Sequence, residues 1–357
     1  MEISEKPSKS RKTLIISLVV VSLIIIAVII TLCVVLTKKD SDKKQTIRNV
    51  PSDEPSDKPS EEPSEKPSDN PSDNQTGVMV NNPIIFDFPN KRVKLNSGYY
   101  MSTSGIGTYL LSGQTCYNSI SSALKSGVRL IDSAYIYGNE EQVGRAVRDS
   151  GISRNEIFVT TKMFTTQFSN PENAIEASLS RLNIEYIDLM LLHHPGNNDV
   201  KAYLAMEKYV ESGKIKSIGL SNFYIDELKR FLPQINIMPA IIQNEIHPYY
   251  QETNIINYVY DDIRDKGIIM EAWFPLGGKG HNTELLNDQV LKTIGNKYNK
   301  SIPQVILRWD LQKGTIVIPG STNSAHIQED FDIYDFELTT DDMRTIANLN
   351  KDLSHNW

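Results

Sequence analysis

Residues 187–194 read IDLMLLHH, an apolar run that ends abruptly on two imidazoles. A strand with one wet face alternates apolar and polar side chains. A near-continuous run is expected where both faces are covered, as in a parallel sheet flanked by helices. The same pattern recurs outward in both directions. Candidate strands are Ser104–Tyr109, Val128–Ser133, Ile157–Lys162, Ile187–His193, Ile215–Ser221, Ala240–Glu245, Ile268–Trp273 and Thr315–Pro319. Amphipathic stretches between them predict helices over Tyr117–Ser126, Glu140–Asp149, Pro171–Arg181, Val200–Ser212, Ile225–Phe231, Asn254–Asp265 and Pro303–Leu311. Such alternation over about 260 residues fits a (β/α)8 TIM barrel in number and size. A doubly wound sheet is the alternative. It calls for a glycine-rich fingerprint opening a βαβ unit, and Gly105-Ile106-Gly107-Thr108 lacks the third glycine. Upstream, Val93–Leu95 and Tyr99–Met101 flank Asn96-Ser97-Gly98, which predicts a hairpin able to plug one end of the barrel.

The barrel is expected over residues 82–357, and three dissimilar segments precede it. Residues 14–36, LIISLVVVSLIIIAVIITLCVVL, carry no charge and are long enough at about 1.5 Å per residue to span a bilayer. A cleaved signal peptide would have a shorter apolar core and a small-residue exit, whereas this one leaves through Val34, Val35 and Leu36. A single transmembrane anchor is therefore expected, with residues 1–13 as a basic tail. Lysines and arginines flank both ends, leaning slightly toward a cytoplasmic barrel. Residues 37–81 form a linker whose core, PSDEPSDKPSEEPSEKPSDNPSDN (51–74), repeats every four residues. Proline, serine and acid with nothing apolar to bury predict a disordered stalk, on the order of 70 Å when stretched.

A net charge of −7 gives no support to a nucleic-acid partner. Cys33 and Cys116 are the only cysteines, too few for a disulfide framework or thiolate metal cluster. Cys116 is expected to be a small buried residue without a chemical role.

Barrel enzymes carry their chemistry at the C-terminal ends of the strands. Reading those ends in order gives Asp132, with Tyr137 shortly after it, then Lys162, His193 and His194, Ser221 and Asn222, Gln243 and Glu245, and Trp273. Taken singly, each has an ordinary structural explanation. Together, an aspartate, lysine, histidine and tyrosine around one mouth form a coherent acid site. A phenol is a poor proton donor at neutral pH unless its anion is stabilised, which an ammonium held by a carboxylate would do. No imidazole or thiolate set has metal-ligand spacing, so a reduction here calls for an organic hydride donor.

Together with VGRAV, TTKMF, IDLMLLHHP, ESGKIKSIGLSNF, NEIHPY, PLGGKG and QVILRWDLQKG, these residues resemble the aldo-keto reductase family over about 91–349. The shorter, microbial-type members are the nearest in pattern. The resemblance implies reversible, NADPH- or NADH-dependent reduction of a small carbonyl substrate, without metal, by a barrel that is commonly monomeric. It implies a tetrad of Tyr137 as general acid, Lys162 lowering its pKa, Asp132 supporting Lys162 and His193 orienting the carbonyl. Thr108, Ser221, Asn222, Gln243, Trp273, Ser321, His326, Glu329 and Asp330 are the implied cofactor contacts. Of these, Ser221, Asn222 and Gln243 would bind the nicotinamide carboxamide and Trp273 would stack on its ring. Tyr109 and His194 are the implied substrate contacts. One departure stands out. The family's usual Ile-Pro-Lys-Ser reads Ile318-Pro319-Gly320-Ser321 here, and its later arginine is His326. Those two cations grip the 2′-phosphate of NADPH, so a weakened preference for NADPH is expected, with Asp330 able to repel phosphate. The alternative of a different class is a membrane-tethered nicotinamide-binding sensor with little turnover.

Overall fold

The computed structural model describes residues 85–278 and 280–354. The expected basic tail, membrane span and stalk lie outside the described residues. Among the described residues, no helix is long and apolar enough to cross a membrane.

Three short antiparallel strands come first: β1 (Phe86–Asp87), β2 (Arg92–Lys94) and β3 (Tyr100–Ser102). Eight parallel strands follow: β4 (Ile106–Gly107), β5 (Leu130–Asp132), β6 (Phe158–Met163), β7 (Ile187–Leu192), β8 (Ile215–Ser221), β9 (Ile241–Glu245), β10 (Ile269–Trp273) and β11 (Thr315–Val317). They pair in chain order, and the ring closes between first and last. Gly105 N donates to Val317 O at 2.8 Å and Gly107 N to Pro319 O at 3.0 Å. The seam is tight: a Cβ on Gly107 would lie 2.7 Å from the Ile318 carbonyl oxygen, and one on Gly320 would lie 2.9 Å from that of Gly107.

Period-two alternation explains both the core and the site. Leu130, Phe158, Leu189, Leu191, Ile241, Ile269 and Ile316 share one buried cluster inside the barrel. Their strand neighbours Ile131, Val159, Met190, Ile242 and Met270 belong to a second cluster, packed outward against the helices. Continuing the inward period toward the C-terminal ends gives Asp132, Lys162, His193, Gln243 and Glu271, all buried. The barrel interior thus changes from apolar to polar along its axis.

The predicted hairpin closes the apolar end. Val93, Leu95 and Met101 join the inner cluster. At the tip, Asn96 Nδ2 donates to Pro239 O (2.8 Å) and Lys266 O (3.1 Å), just before β9 and β10 begin. The polar C-terminal mouth is left open.

Helices Glu140–Asp149, Pro171–Leu182, Asp199–Glu211, Ile225–Phe231 and Ile302–Gln312 lie close to their predicted bounds. Helix Gly113–Lys125 begins four residues earlier than the predicted Tyr117, with Gly113, Gln114 and Thr115 in its first turn. The helix predicted over Asn254–Asp265 is corrected: it breaks into Thr253–Asn257, a π turn at Tyr258–Asp262 and a 3-10 turn at Arg264–Lys266. Tyr260 supplies the reason. Its hydroxyl donates to Gly314 O at 2.5 Å and accepts from Met270 N at 3.0 Å, pinning the segment to the sheet. Helices Gln289–Tyr298, Ser324–Asp330 and Thr340–Ala347 complete the outer layer.

One packing contact gives a stability prediction. Helix Glu140–Asp149 lies so close to the end of Pro171–Leu182 that a Cβ on Gly144 would sit 1.7 Å from Leu182 O. Backbone must move to admit it, so Gly144→Ala is expected to cost about 1–3 kcal/mol. Thermal unfolding should show a Tm lowered by roughly 2–10 °C; an unchanged Tm would contradict this packing.

Candidate active site

Lys162 is the hub of the open end. It is wholly buried on β6, and its ammonium donates to Asp132 Oδ1 at 2.6 Å, Ser133 O at 3.0 Å and Tyr137 Oη at 3.4 Å. All three ammonium hydrogens are thereby directed. Burial alone would lower the Lys162 pKa, but the Asp132 charge and hydrogen bond leave it raised, so the side chain stays cationic. His193, one residue beyond β7, turns an edge of its ring toward Tyr137, with ring centres 5.7 Å apart. Burial, then the charge on Lys162, hold His193 down at about 2, making it a neutral imidazole. The four tetrad residues expected from sequence therefore meet at one mouth.

Lys162 lowers the Tyr137 pKa as expected, and burial acts against it. Burial pushes the Tyr137 phenol up to about 12, and Lys162 only partly offsets this. The phenol is thus less acidic than free tyrosine, because desolvation exceeds the pull of an ammonium 3.4 Å away. It remains protonated across the physiological range.

Tyr137 ends the short 3-10 turn Tyr135–Tyr137, which Gly138 closes in a left-handed conformation. Buried Asn139 fixes this turn to the neighbouring loop. Its Oδ1 accepts from Ser133 Oγ at 2.7 Å, while Nδ2 donates to Thr108 O and Leu111 O, both at 2.9 Å. Thr108 Oγ1 in turn donates to Asp132 O at 2.8 Å. Thr108 is wholly buried and braces the loops; it does not border the cleft as an expected cofactor contact would.

A cleft of about 550 Å³ runs from Tyr137 and His193 past Ser221, Gln243 and Trp273 to Gly320 and Ser321. Gln243 Nε2 donates to Asp132 Oδ2 at 3.0 Å and to Glu271 Oε2 at 2.8 Å. Asn222 lines the cleft in a left-handed conformation. Its amide is already engaged, Nδ2 donating to His193 O at 2.9 Å and Oδ1 accepting from Trp273 Nε1 at 3.0 Å. Asn222 therefore also fixes the Trp273 indole and the His193 backbone.

Other expected residues lie apart. Tyr109 lines the cleft against Tyr137, ring centres 5.1 Å apart, but His194 does not: it stacks on His193 at 5.0 Å. His326 is exposed on Ser324–Asp330 and Glu329 is half-buried there, neither bordering the cleft. Asp330 is buried, which together with the Glu329 charge pushes its carboxyl up to about 7.

The sequence did not single out Asn139, Glu271 or Phe274. Phe274 lines the cleft in a left-handed conformation rare for a bulky residue, between Tyr109 (5.8 Å) and Trp273 (5.0 Å). The following Gly277-Gly278 was an available signal, since a Cβ on Gly278 would lie 2.5 Å from the Phe274 ring.

Residues 103–351 match the model of the family described as "Aldo/keto reductase family". The chain is 41% identical over 264 residues to the glyoxal reductase of Bacillus subtilis (strain 168), covering 73% of this chain and 93% of that protein. It is 39% identical over 264 residues to the 9,11-endoperoxide prostaglandin H2 reductase of Trypanosoma cruzi (strain CL Brener), covering 73% and 92%. Among solved structures it resembles MGS-M4, an aldo-keto reductase enzyme from a Medee basin deep-sea metagenome library. That likeness has a TM-score of 0.71 at 37% identity and covers 74% of this chain and 97% of the other.

Proposed function

The chain belongs to the aldo/keto reductase family of NAD(P)H-dependent oxidoreductases, and from that premise we propose that it reduces small aldehydes or ketones with Tyr137 as proton donor. The observation that carries this reading is the single ammonium of Lys162 reaching both Asp132 and Tyr137 at the cleft. Tyr137 gives its hydroxyl proton to the carbonyl oxygen, and Lys162 stabilises the charge left on Oη. Asp132 keeps Lys162 charged and oriented. Neutral His193 directs the carbonyl oxygen toward Tyr137 by hydrogen bonding.

The cleft suits a nicotinamide dinucleotide: an amide side chain and an indole lie beside the tetrad, and the same cleft extends to the seam at Gly320 and Ser321. Bound there, the reduced cofactor would supply the hydride. Gln243 and Ser221 would hold the carboxamide, and Trp273 would cover the ring. The 2′-phosphate would find neither of the family's two cations, since position 320 is glycine and position 326 is histidine. A hydrogen bond to a charged group contributes about 1.5–3 kcal/mol. Losing one should reduce any preference for NADPH by roughly ten- to a hundredfold.

By analogy with the glyoxal reductase relative, small reactive aldehydes such as glyoxal are the first acceptors to try. The test is NADPH and NADH oxidation by the full chain with glyoxal and a panel of simple aldehydes and ketones. Carbonyl-dependent oxidation is expected, with kcat/KM for the two cofactors within about tenfold. Oxidation of neither cofactor with any acceptor would overturn the reading. A strong NADPH preference would overturn the cofactor assignment alone.

A further inference from the structure

Glu271 is wholly buried on β10. The strand register sets it beside Gln243 on β9, which in turn sits beside Ser221 on β8. Gln243 Nε2 donates to Glu271 Oε2 at 2.8 Å and to Asp132 Oδ2 at 3.0 Å. A primary amide has two hydrogens on its nitrogen, and here each points at a carboxyl group. The amide cannot flip without turning its carbonyl oxygen onto the Asp132 carboxylate. Its carbonyl oxygen is therefore the group left to face the cleft that Gln243 lines.

Asp132 alone would fix only one of those hydrogens. Glu271 fixes the other, and its remaining oxygen, Oε1, has no hydrogen-bond partner among the described residues. Burying a carboxyl group with an unpartnered oxygen is unfavourable, and an apolar residue would serve packing better. Burial, then the neighbouring Asp132 charge, push Glu271 up to about 8. A carboxyl oxygen of Glu271 can accept from Gln243 whether or not the group is protonated.

We propose that Glu271 is a positioning residue: by holding the second amide hydrogen of Gln243, it presents the Gln243 carbonyl oxygen as a fixed acceptor for the carboxamide N–H of a nicotinamide. This rests on the reading that the cleft binds such a cofactor. A released Gln243 side chain would offer donor and acceptor edges interchangeably, and the carboxamide would lose a pre-aligned partner.

Glu271→Met keeps the approximate volume and removes the acceptor; Glu271→Gln keeps an acceptor and removes the ionisable group. NADPH and NADH affinities of the full chain are read from quenching of its tryptophan fluorescence, without turnover. Hydride-face fidelity is then read from deuterium in the product after turnover with cofactor labelled on one face. Glu271→Met should bind cofactor about tenfold more weakly, the scale of one hydrogen bond, and should lose some face fidelity, with its Tm unchanged or raised. Glu271→Gln should stay within about twofold of wild type. Wild-type affinity and fidelity in Glu271→Met would overturn the inference alone, as would equal losses in both variants. A wild-type chain that binds neither cofactor would overturn the reading of the cleft and this inference with it.

Discussion

Replacing Lys162 by methionine is expected to lower kcat by roughly 10²–10⁴-fold, the range that general acid catalysis contributes. The loss follows from geometry. Without the ammonium, no other cation among the described residues is hydrogen-bonded to Tyr137 Oη, and burial already holds that phenol up at about 12. The same change strands Asp132, whose Oδ1 lies 2.6 Å from Lys162 Nζ inside the barrel. Breaking a buried pair in this way costs about 3–5 kcal/mol, so the Tm should fall by roughly 10 °C. Adding Asp132→Asn separates the two effects. The double variant has no stranded charge, and asparagine can still accept from Gln243, so much of the lost stability should return. Turnover should not return. Thermal melts and steady-state kinetics on the three variants check this; recovery of activity in the double variant would show that the ammonium serves the fold and not Tyr137.

The barrel was legible because its strands are buried on both faces, so IDLMLLHH and its counterparts stand out as runs ending in polar residues. The inward period then brings Asp132, Lys162 and His193 to one mouth, and each follows or ends an apolar run visible in the sequence. Glu271 was not legible for the converse reason. It lies inside IMEAW, where a charged residue within a strand carries no sign of which face it takes or which amide it meets. Asn139 was hidden because its partners come from loops about thirty residues away, at Thr108 and Leu111. The sequence identifies the cation that lowers the Tyr137 pKa but carries no sign of the burial that opposes it. At Gly320 the sequence shows the missing cation, and the structure adds the closeness of the Gly107 carbonyl oxygen, which any side chain there would press against.

Tyr137→Phe removes one oxygen and little else. The ring keeps its neighbours Tyr109 and His193, with centres 5.1 and 5.7 Å away. Lys162 loses its longest contact while keeping Asp132 and Ser133. Stability should therefore change by no more than about 1 kcal/mol. Proton donation should fail, lowering kcat and kcat/KM together by roughly 10²–10⁴-fold, as expected for an interaction made in the transition state. The most direct test is glyoxal-dependent NADPH oxidation by the full wild-type chain and the Tyr137→Phe variant, with cofactor affinity measured by fluorescence on the same samples. Steady turnover by wild type, and a variant that binds NADPH within about twofold of wild type yet barely oxidises it, is the predicted result; a variant that turns over like wild type would contradict the role of Tyr137.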